Sequence, residues 1–547
     1  MIARLMALKP AWILAGVIAL SSVVTTLAMR RTSTTFDEIV LISAGARGYT
    51  NGKFDLAPDH PPVMQYLYGL PVFLTKPHYP SEKGYDTHDT GYRYLYARQF
   101  FWESGNDPER AAFLGRIPAV LIAALLGLLT YSFAKRAIGV GGGLLAATMV
   151  AFLPDVLAHG GVAYNDVPLA LLYFGAVWMI DRMLRNPSWR NAALAGAAVG
   201  LAFGVKISAV AIGPAAVALT VIEAIRRGRD VRWIVRVLPA IVISLIAAYV
   251  ALVIIYRGDF MLEQFRYALG YTFKHVTKGH GASGFILGKA NPQGFWYFFP
   301  LAFFFKTSIA LHVLLLIAVM ALLKADFPKW RELLAHPLRV PVIAAGVFGA
   351  ILLTSSLNIG FRYALPVLPH VCVLIAAGVA HMWRIGTQRM RVLIAGLALW
   401  LVLGPLSWYP NFLAYISEYG PGRDRGSEVL VDSSLDWGQG LLQLRDYMRE
   451  HDIKRIYLSY FGSARPDGYG IDYVPLYSFF PLATSALSKP DAPEPTHLVI
   501  SATNLQGVYF RGDPFGPFRH ERVQIGDRKY DLEAVVAHNM YIYRINP

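Results

Sequence analysis

The sequence predicts an α-helical polytopic membrane protein of about 11 transmembrane helices, followed by a small C-terminal α/β domain. Three observations carry that class. The 547 residues are 55% hydrophobic and 16% charged, with a mean hydropathy of +0.41, where an ordinary soluble domain is about a quarter charged. The apolar residues gather into runs long enough to cross a bilayer. Beyond residue 410 the pattern changes to short apolar strands alternating with polar turns. The net charge is 51 minus 36, or +15, but the basic residues flank apolar runs, so no nucleic-acid partner is expected. The single cysteine, Cys372, excludes an intramolecular disulfide framework and a Cys-based metal site.

In chain order the expected spans are Ala11–Met29, Ala112–Phe133, Gly142–Leu157, Val167–Ile180, two short helices within Ala192–Ile225 meeting near Gly204 and Lys206, Trp233–Tyr256, Phe295–Leu323, Val340–Leu353, Ala364–Met382 and Val392–Trp408. The glycine run Gly139 to Gly143 reads as a turn or close packing. An odd number of spans puts the termini on opposite sides. With the N-terminus cytoplasmic, the inner segments 1–10, 134–141, 181–190, 225–237, 324–339 and 384–391 hold nineteen Lys or Arg, as the positive-inside rule requires. Two units follow, a membrane domain over 1–409 with a first outer loop at 30–111, and an extracytoplasmic domain over 410–547. In the latter, strands are expected at Glu428–Val431, Arg455–Tyr460, His497–Ser501 and Tyr541–Ile545, and a helix at Gly440–His451.

Carboxylates at the rim of a membrane are costly unless they face water or a partner. Asp37, Glu38 and Asp166 lie at the outer rim in this topology, as do the basic residues Lys206, Lys306 and Arg362. Singly, each has a bland explanation: solvated loop acids, a helix cap ahead of Pro168, or snorkelling bases. Together they suit a lipid phosphate held at headgroup depth. His60, His159, His275 and His280 share the outer face without a ligand spacing, so no metal site is expected, although a divalent metal stays open. Tyr66, Tyr68, Trp296 and Tyr297 read as interface-belt residues. P-loop, zincin and nucleophile-elbow motifs do not occur in the sequence.

Thr35-Phe36-Asp37-Glu38, Ala44-Gly45-Ala46-Arg47-Gly48-Tyr49, Asp59-His60-Pro61-Pro62, Arg116 and Tyr164-Asn165-Asp166-Val167-Pro168, in this order, resemble the dolichyl-phosphate-mannose:protein mannosyltransferase superfamily, which includes the lipid A aminoarabinose transferases. The C-terminal stretches Asn411 to Tyr415 and Asp432 to Gln439 resemble a bacterial branch of it. The resemblance implies a GT-C fold and an inverting glycosyltransferase of a bacterial cytoplasmic membrane, which takes a sugar from a polyprenyl-phosphate donor on the outer face. It casts Asp37 as general base, assisted by Glu38, with Asp166 orienting the acceptor or the base, Lys206, Lys306, Arg362 and Arg116 around the donor phosphate, and Asp59 and His60 in a substrate loop. No cofactor is firmly implied. The expected partners are membrane lipid, the lipid-linked donor and an envelope acceptor: protein, lipid or glycan. The segment between Tyr256 and Phe295 is too short for the lumenal insert of the eukaryotic protein-glycosylating members. The main competing reading is a lipid or sugar transporter, which would need polar residues at mid-membrane and paired inverted halves. A lipid-pyrophosphate oligosaccharyltransferase and a membrane-anchored receptor are further alternatives.

Overall fold

A computed structural model of the protein describes residues 10–81, 90–278, 284–324, 330–480 and 493–546. Each of the eleven apolar runs is helical, and the chain is a multi-pass membrane protein. Seven helices among the described residues are both long and apolar enough to cross a membrane: Pro10–Ala28, Pro108–Ala151, Asp166–Arg185, Ile207–Arg227, Val231–Ile255, Leu368–Ile385 and Gln388–Leu406. The difference from eleven has local causes. Pro108–Ala151 holds two of the expected spans, joined at Gly139, whose φ of 86° breaks the helix where only glycine is unstrained. Trp189–Phe203 and Arg339–Leu353 are only 15 residues each.

The expected span Phe295–Leu323 is instead two limbs, Phe298–Lys306 and Ile309–Leu322, bent by 114°. The break follows from Lys306. Its ammonium donates to the carbonyls of Leu413, Tyr415 and Ser434 at 2.9, 3.0 and 2.7 Å, which ends the first limb against the C-terminal part of the chain.

Helix starts are capped as their sequences suggest. Asp107, Ser188, Asp230 and Thr387 each accept a hydrogen bond from the backbone N–H three residues on. The helices Trp189–Phe203 and Val231–Ile255 pack at backbone distance, because a Cβ on Gly200 would meet the Ala248 carbonyl oxygen at 2.6 Å. The two short helices predicted within Ala192–Ile225 do meet at a tip, and Lys206 sits on it.

Asp166–Arg185 begins at Asp166 and ends among the basic loops, a length of roughly 28 Å at 1.5 Å per residue. At its basic end a buried ionic network holds three helices. Arg339 donates to Asp181 at 2.5 Å, to Glu223 at 2.7 Å and to the Leu334 carbonyl, while Arg185, Arg226 and Arg227 complete the carboxylates' coordination.

The C-terminal part is an α/β unit. Its strands are β3 (Ile456–Ser459), β4 (Tyr473–Pro475), β5 (His497–Ser501), β6 (Arg522–Ile525), β7 (Arg528–Val536) and β8 (Met540–Asn546), after a hairpin of β1 (Gly284–Ile286) and β2 (Lys289–Asn291) in the preceding loop. The order is β4-β3-β5-β8-β7-β6, parallel between β4, β3 and β5 and antiparallel thereafter. Leu441, Leu444 and Met448 of helix Leu441–Glu450 pack on Ile456, Leu458, Val499 and Ile542 of the sheet. Glu428–Val431 is not a strand. It leaves a 3₁₀ turn and enters a sharp corner at Asp432, whose φ is +53°. The sequence reading missed β4, β6 and β7, because β4 and β6 are short and β7 is interrupted by charges.

The unit is fastened to the membrane bundle. Ser33 donates through N–H to the Gln439 carbonyl (3.0 Å) and through Oγ to that of Gly438 (2.9 Å), and Phe36 N–H donates to the Trp437 carbonyl (2.9 Å).

Arg339→Met should lower stability by about 3 kcal/mol, the smaller end of the cost of breaking a buried ion pair, because Arg185, Arg226 and Arg227 still neutralise the two carboxylates. Thermal unfolding of the detergent-solubilised protein checks it; an unchanged Tm would show that Arg339 is dispensable to the network.

Candidate active site

A cavity of about 660 Å³ opens where the loop after the first span, the tip at Lys206, the turn at Arg362 and the C-terminal unit converge. Asp37, Asp59, His60, Asp166, Lys206 and Arg362, six of the residues singled out in the sequence, line it. Asp37 ends the loop after the first span, immediately before helix Glu38–Asn51. Its carboxylate accepts the Tyr94 hydroxyl at 2.6 Å, and among the described residues no cation lies within ion-pair distance of it. It nevertheless sits in the field of His60, Arg93, Lys206 and Arg362, on each of which its charge acts.

Asp166 is placed differently. It is buried, paired with Lys206 through one oxygen and with Arg362 Nη1 through the other at 3.0 Å. Two cations against one carboxylate leave a net positive charge facing the cavity. Arg362 is further held by Ser433 Oγ at 2.9 Å and lies over the rings of Trp437, Tyr164 and Tyr363 at 4.4, 4.8 and 4.9 Å. The Lys206 ammonium is 4.7 Å from the Tyr363 ring centre, and burial pulls its pKa down against the pull of Asp166.

Asp59 pairs with Arg93 and lies 3.7 Å from His60. Burial pushes its carboxyl up, but the neighbouring His60 and Arg93 win and hold it below the ordinary range. Burial also lowers the His60 pKa. The Gln65 side chain, donating to the carbonyls of Ala57 and His60, fixes this corner of the loop.

Three residues expected at the donor or the reacting centre lie outside the cavity lining. Glu38 is fully buried and meets Arg116 in a bidentate pair, both contacts 2.8 Å, while accepting the backbone N–H groups of Ala163 and Thr35. Arg116 spends its remaining donors on the carbonyls of Met29, Thr32 and Ser33. Neither group has a free valence for substrate, so both position the loop. Lys306 is saturated by its three carbonyls and by Asp155 at 3.8 Å, so in place of a phosphate it holds the chain's own C-terminal segment.

Tyr66 and Tyr68, expected in an interface belt, donate instead to the carbonyls of Ile255 and Tyr164, both at 2.5 Å. Trp296 is exposed as a belt residue would be. His159 is buried beside Asp155 and Trp437 and does not line the cavity that His60 lines; His280 and the side chain of His275 lie outside the described residues. Among the described residues no group of three or more His, Cys, Asp or Glu is placed to hold a metal ion.

Sequence reasoning missed Arg93, Tyr94, Tyr509 and Asp432 on the cavity wall. The first two stand in Tyr92-Arg93-Tyr94, where a base between tyrosines was the available signal. Asp432 stood in a quoted motif but received no role, because only folding turns it toward the membrane site.

Residues 108–256 match the family model described as dolichyl-phosphate-mannose-protein mannosyltransferase. None of the curated proteins compared matches the chain. Among solved structures, ArnT from Cupriavidus metallidurans bound to undecaprenyl phosphate aligns at 12% identity over 98% of each chain, with a TM-score of 0.49. The apo Archaeoglobus fulgidus oligosaccharyltransferase aligns at 11% identity over 91% of this chain and 71% of its own, with a TM-score of 0.48.

The two neighbouring acids should lose stability to very different extents on neutralisation. Glu38→Gln strands the Arg116 charge in the interior and should cost about 3–5 kcal/mol, whereas Asp37→Asn keeps an acceptor for Tyr94 and should cost about 1 kcal/mol or less. Thermal unfolding of the two purified variants decides it, and equal losses would refute the division of roles.

The matched segment contains two of the stretches that carry the motif resemblance, Arg116 and Tyr164 to Pro168, and over these residues the chain is similar to the dolichyl-phosphate-mannose-protein mannosyltransferases.

Proposed function

We propose that the protein is a glycosyltransferase that moves a sugar from a polyprenyl-phosphate donor to an envelope acceptor at the outer face of a bacterial cytoplasmic membrane. The observation that carries this reading is that one cavity is lined both by Asp37, a carboxylate without a cation partner among the described residues, and by a cation pair with net positive charge, Lys206 and Arg362 on Asp166. That is the arrangement a displacement of a phosphate from an anomeric carbon needs. The acceptor oxygen attacks the anomeric carbon from one side, its proton passes to Asp37, and the bond from that carbon to the phosphate oxygen breaks on the other side. The electron pair leaves with the lipid phosphate, where Lys206 and Arg362 meet the added negative charge. Attack opposite the leaving group inverts the centre without a covalent enzyme intermediate.

The walls of the cavity support a lipid-linked donor. Ile351, Leu352 and Leu357 line it at the end of a membrane helix, with Val210 and Ala211 beside them, an aliphatic surface that suits a polyprenyl chain. The outer-face assignment is supported by charge. The cavity lies at one end of Asp166–Arg185 and the basic loops at the other, about a bilayer core away.

Transfer of radiolabelled sugar from polyprenyl-phosphate donors to an envelope extract tests the reading. Wild-type protein should label the extract, and Asp37→Asn should lower kcat by about 10²–10⁴-fold, the range of general-base catalysis. Arg362→Met should lose transfer comparably while Asp37 remains in place. Activity of Asp37→Asn equal to wild type would place the base elsewhere, and no transfer from any donor would remove the reading.

A further inference from the structure

The cavity has one wall the membrane bundle does not supply. Trp437, Phe461, Phe479, Phe480 and Tyr509, all from the C-terminal unit, face the same space as Asp37. Their rings are interlocked: Phe461 stacks on Tyr509 at 5.2 Å, Phe479 lies 4.3 Å from Tyr509, and Phe36, next to Asp37, is 5.4 Å from Phe461. In their midst is Asp432. Its backbone has φ +53°, a left-handed conformation that is uncommon for a residue with a side chain and is retained where the surroundings over-determine it. Thr503 Oγ1 accepts its N–H at 2.9 Å, the Tyr509 hydroxyl and the Ser433 N–H donate to its carboxylate, and the group remains on the cavity wall.

We infer that this wall is the acceptor subsite of the transferase proposed above, and that Asp432 orients a saccharide acceptor by accepting a hydrogen bond from a hydroxyl beside the one that attacks. The inference rests on that reading of the cavity. It deepens it by assigning the acceptor class, a sugar rather than a peptide side chain. Aromatic rings beside a carboxylate match a sugar on two counts: its C–H faces lie on the rings, and its hydroxyls donate to the carboxylate. The aliphatic side chains of Ile351, Leu352 and Leu357 in the same lining offer neither, and suit the donor's lipid instead.

The groups facing Asp432 are Tyr509 and Thr503 after β5, Arg362 and Tyr363 from the membrane turn, and Asp37 from the first outer loop. Burial, above all, pushes its carboxyl up to about 7, with Asp37 adding to the rise and Tyr509, Ser433 and Arg362 opposing it. The ionised form is the stronger acceptor, so saccharide binding should tighten as pH rises through about 7.

Two measurements on the full-length protein in lipid nanodiscs test this: acceptor and donor KM in the transfer assay between pH 6 and 8, and equilibrium dialysis of tritiated oligosaccharides released from the cell envelope. Asp432→Asn should raise the acceptor KM roughly tenfold or more, the loss of a hydrogen bond to a charged group, with the donor KM unmoved and the pH dependence of the acceptor KM flattened. Phe479→Ala should raise the acceptor KM and keep the pH dependence. Transfer with an acceptor KM and pH dependence that ignore Asp432→Asn overturns the inference and leaves the transferase standing, as does a labelled product that is protein. Oligosaccharide binding that Asp432→Asn weakens, without transfer by wild type, keeps the saccharide site and removes the transferase. Neither binding nor transfer removes both.

Discussion

The buried pair of Glu38 and Arg116 is the constraint on which the rest of the site depends. A guanidinium with five donors has been taken out of water, and each must find an acceptor or the cost is several kcal/mol. The acceptors are both Glu38 oxygens and the carbonyls of Met29, Thr32 and Ser33, at the end of the first span and in the loop after it. Glu38 in turn takes the N–H of Ala163, three residues before Asp166. One ion pair thus ties the first span, the helix starting at Pro108 and the approach to Asp166. Asp37, beside Glu38 in sequence, is delivered to the cavity by a neighbour that never touches it.

The second tie comes from the C-terminal unit. Lys306 ends its limb because its ammonium is satisfied by carbonyls of Leu413, Tyr415 and Ser434, and Arg362 is steadied by Ser433 and Trp437. The C-terminal unit is therefore part of the site's construction. Asp432 and Trp437 line the cavity, while Ser433 and Trp437 hold Arg362 in it. Without this segment Lys306 would lose three hydrogen bonds and keep only Asp155 at 3.8 Å, a costly state for a buried ammonium.

Charge is divided so that each acid has one task. Asp166 sits between two cations and is committed to holding them. Asp59 is committed to Arg93. Asp37 feels the same cations at longer range, with the Tyr94 hydroxyl as its contact. Asp432 lies against aromatic rings, and burial pushes its carboxyl up to about 7. Four carboxylates on one cavity differ in role through environment alone.

The helical class, the position of every apolar run, the tip at Lys206, the C-terminal α/β character and six cavity residues were all legible in the sequence. Hydropathy is local and additive along the chain, and an acid beside a span is conspicuous wherever it falls. The sequence could not separate Asp37 from Glu38, two adjacent acids in one motif. Which of them faces water and which faces Arg116 is settled by the helix that begins between them and by what packs on it. Nor could it tell that Lys306 and Arg116 bind the chain's own carbonyls, since their partners lie about a hundred residues away in one case and more than eighty in the other. Arg93 and Asp432 escaped for the same reason. Residue type and spacing determined what chemistry the chain carries; long-range packing decided which of those groups have spare hydrogen-bonding capacity, because a buried polar group is spoken for by whatever surrounds it.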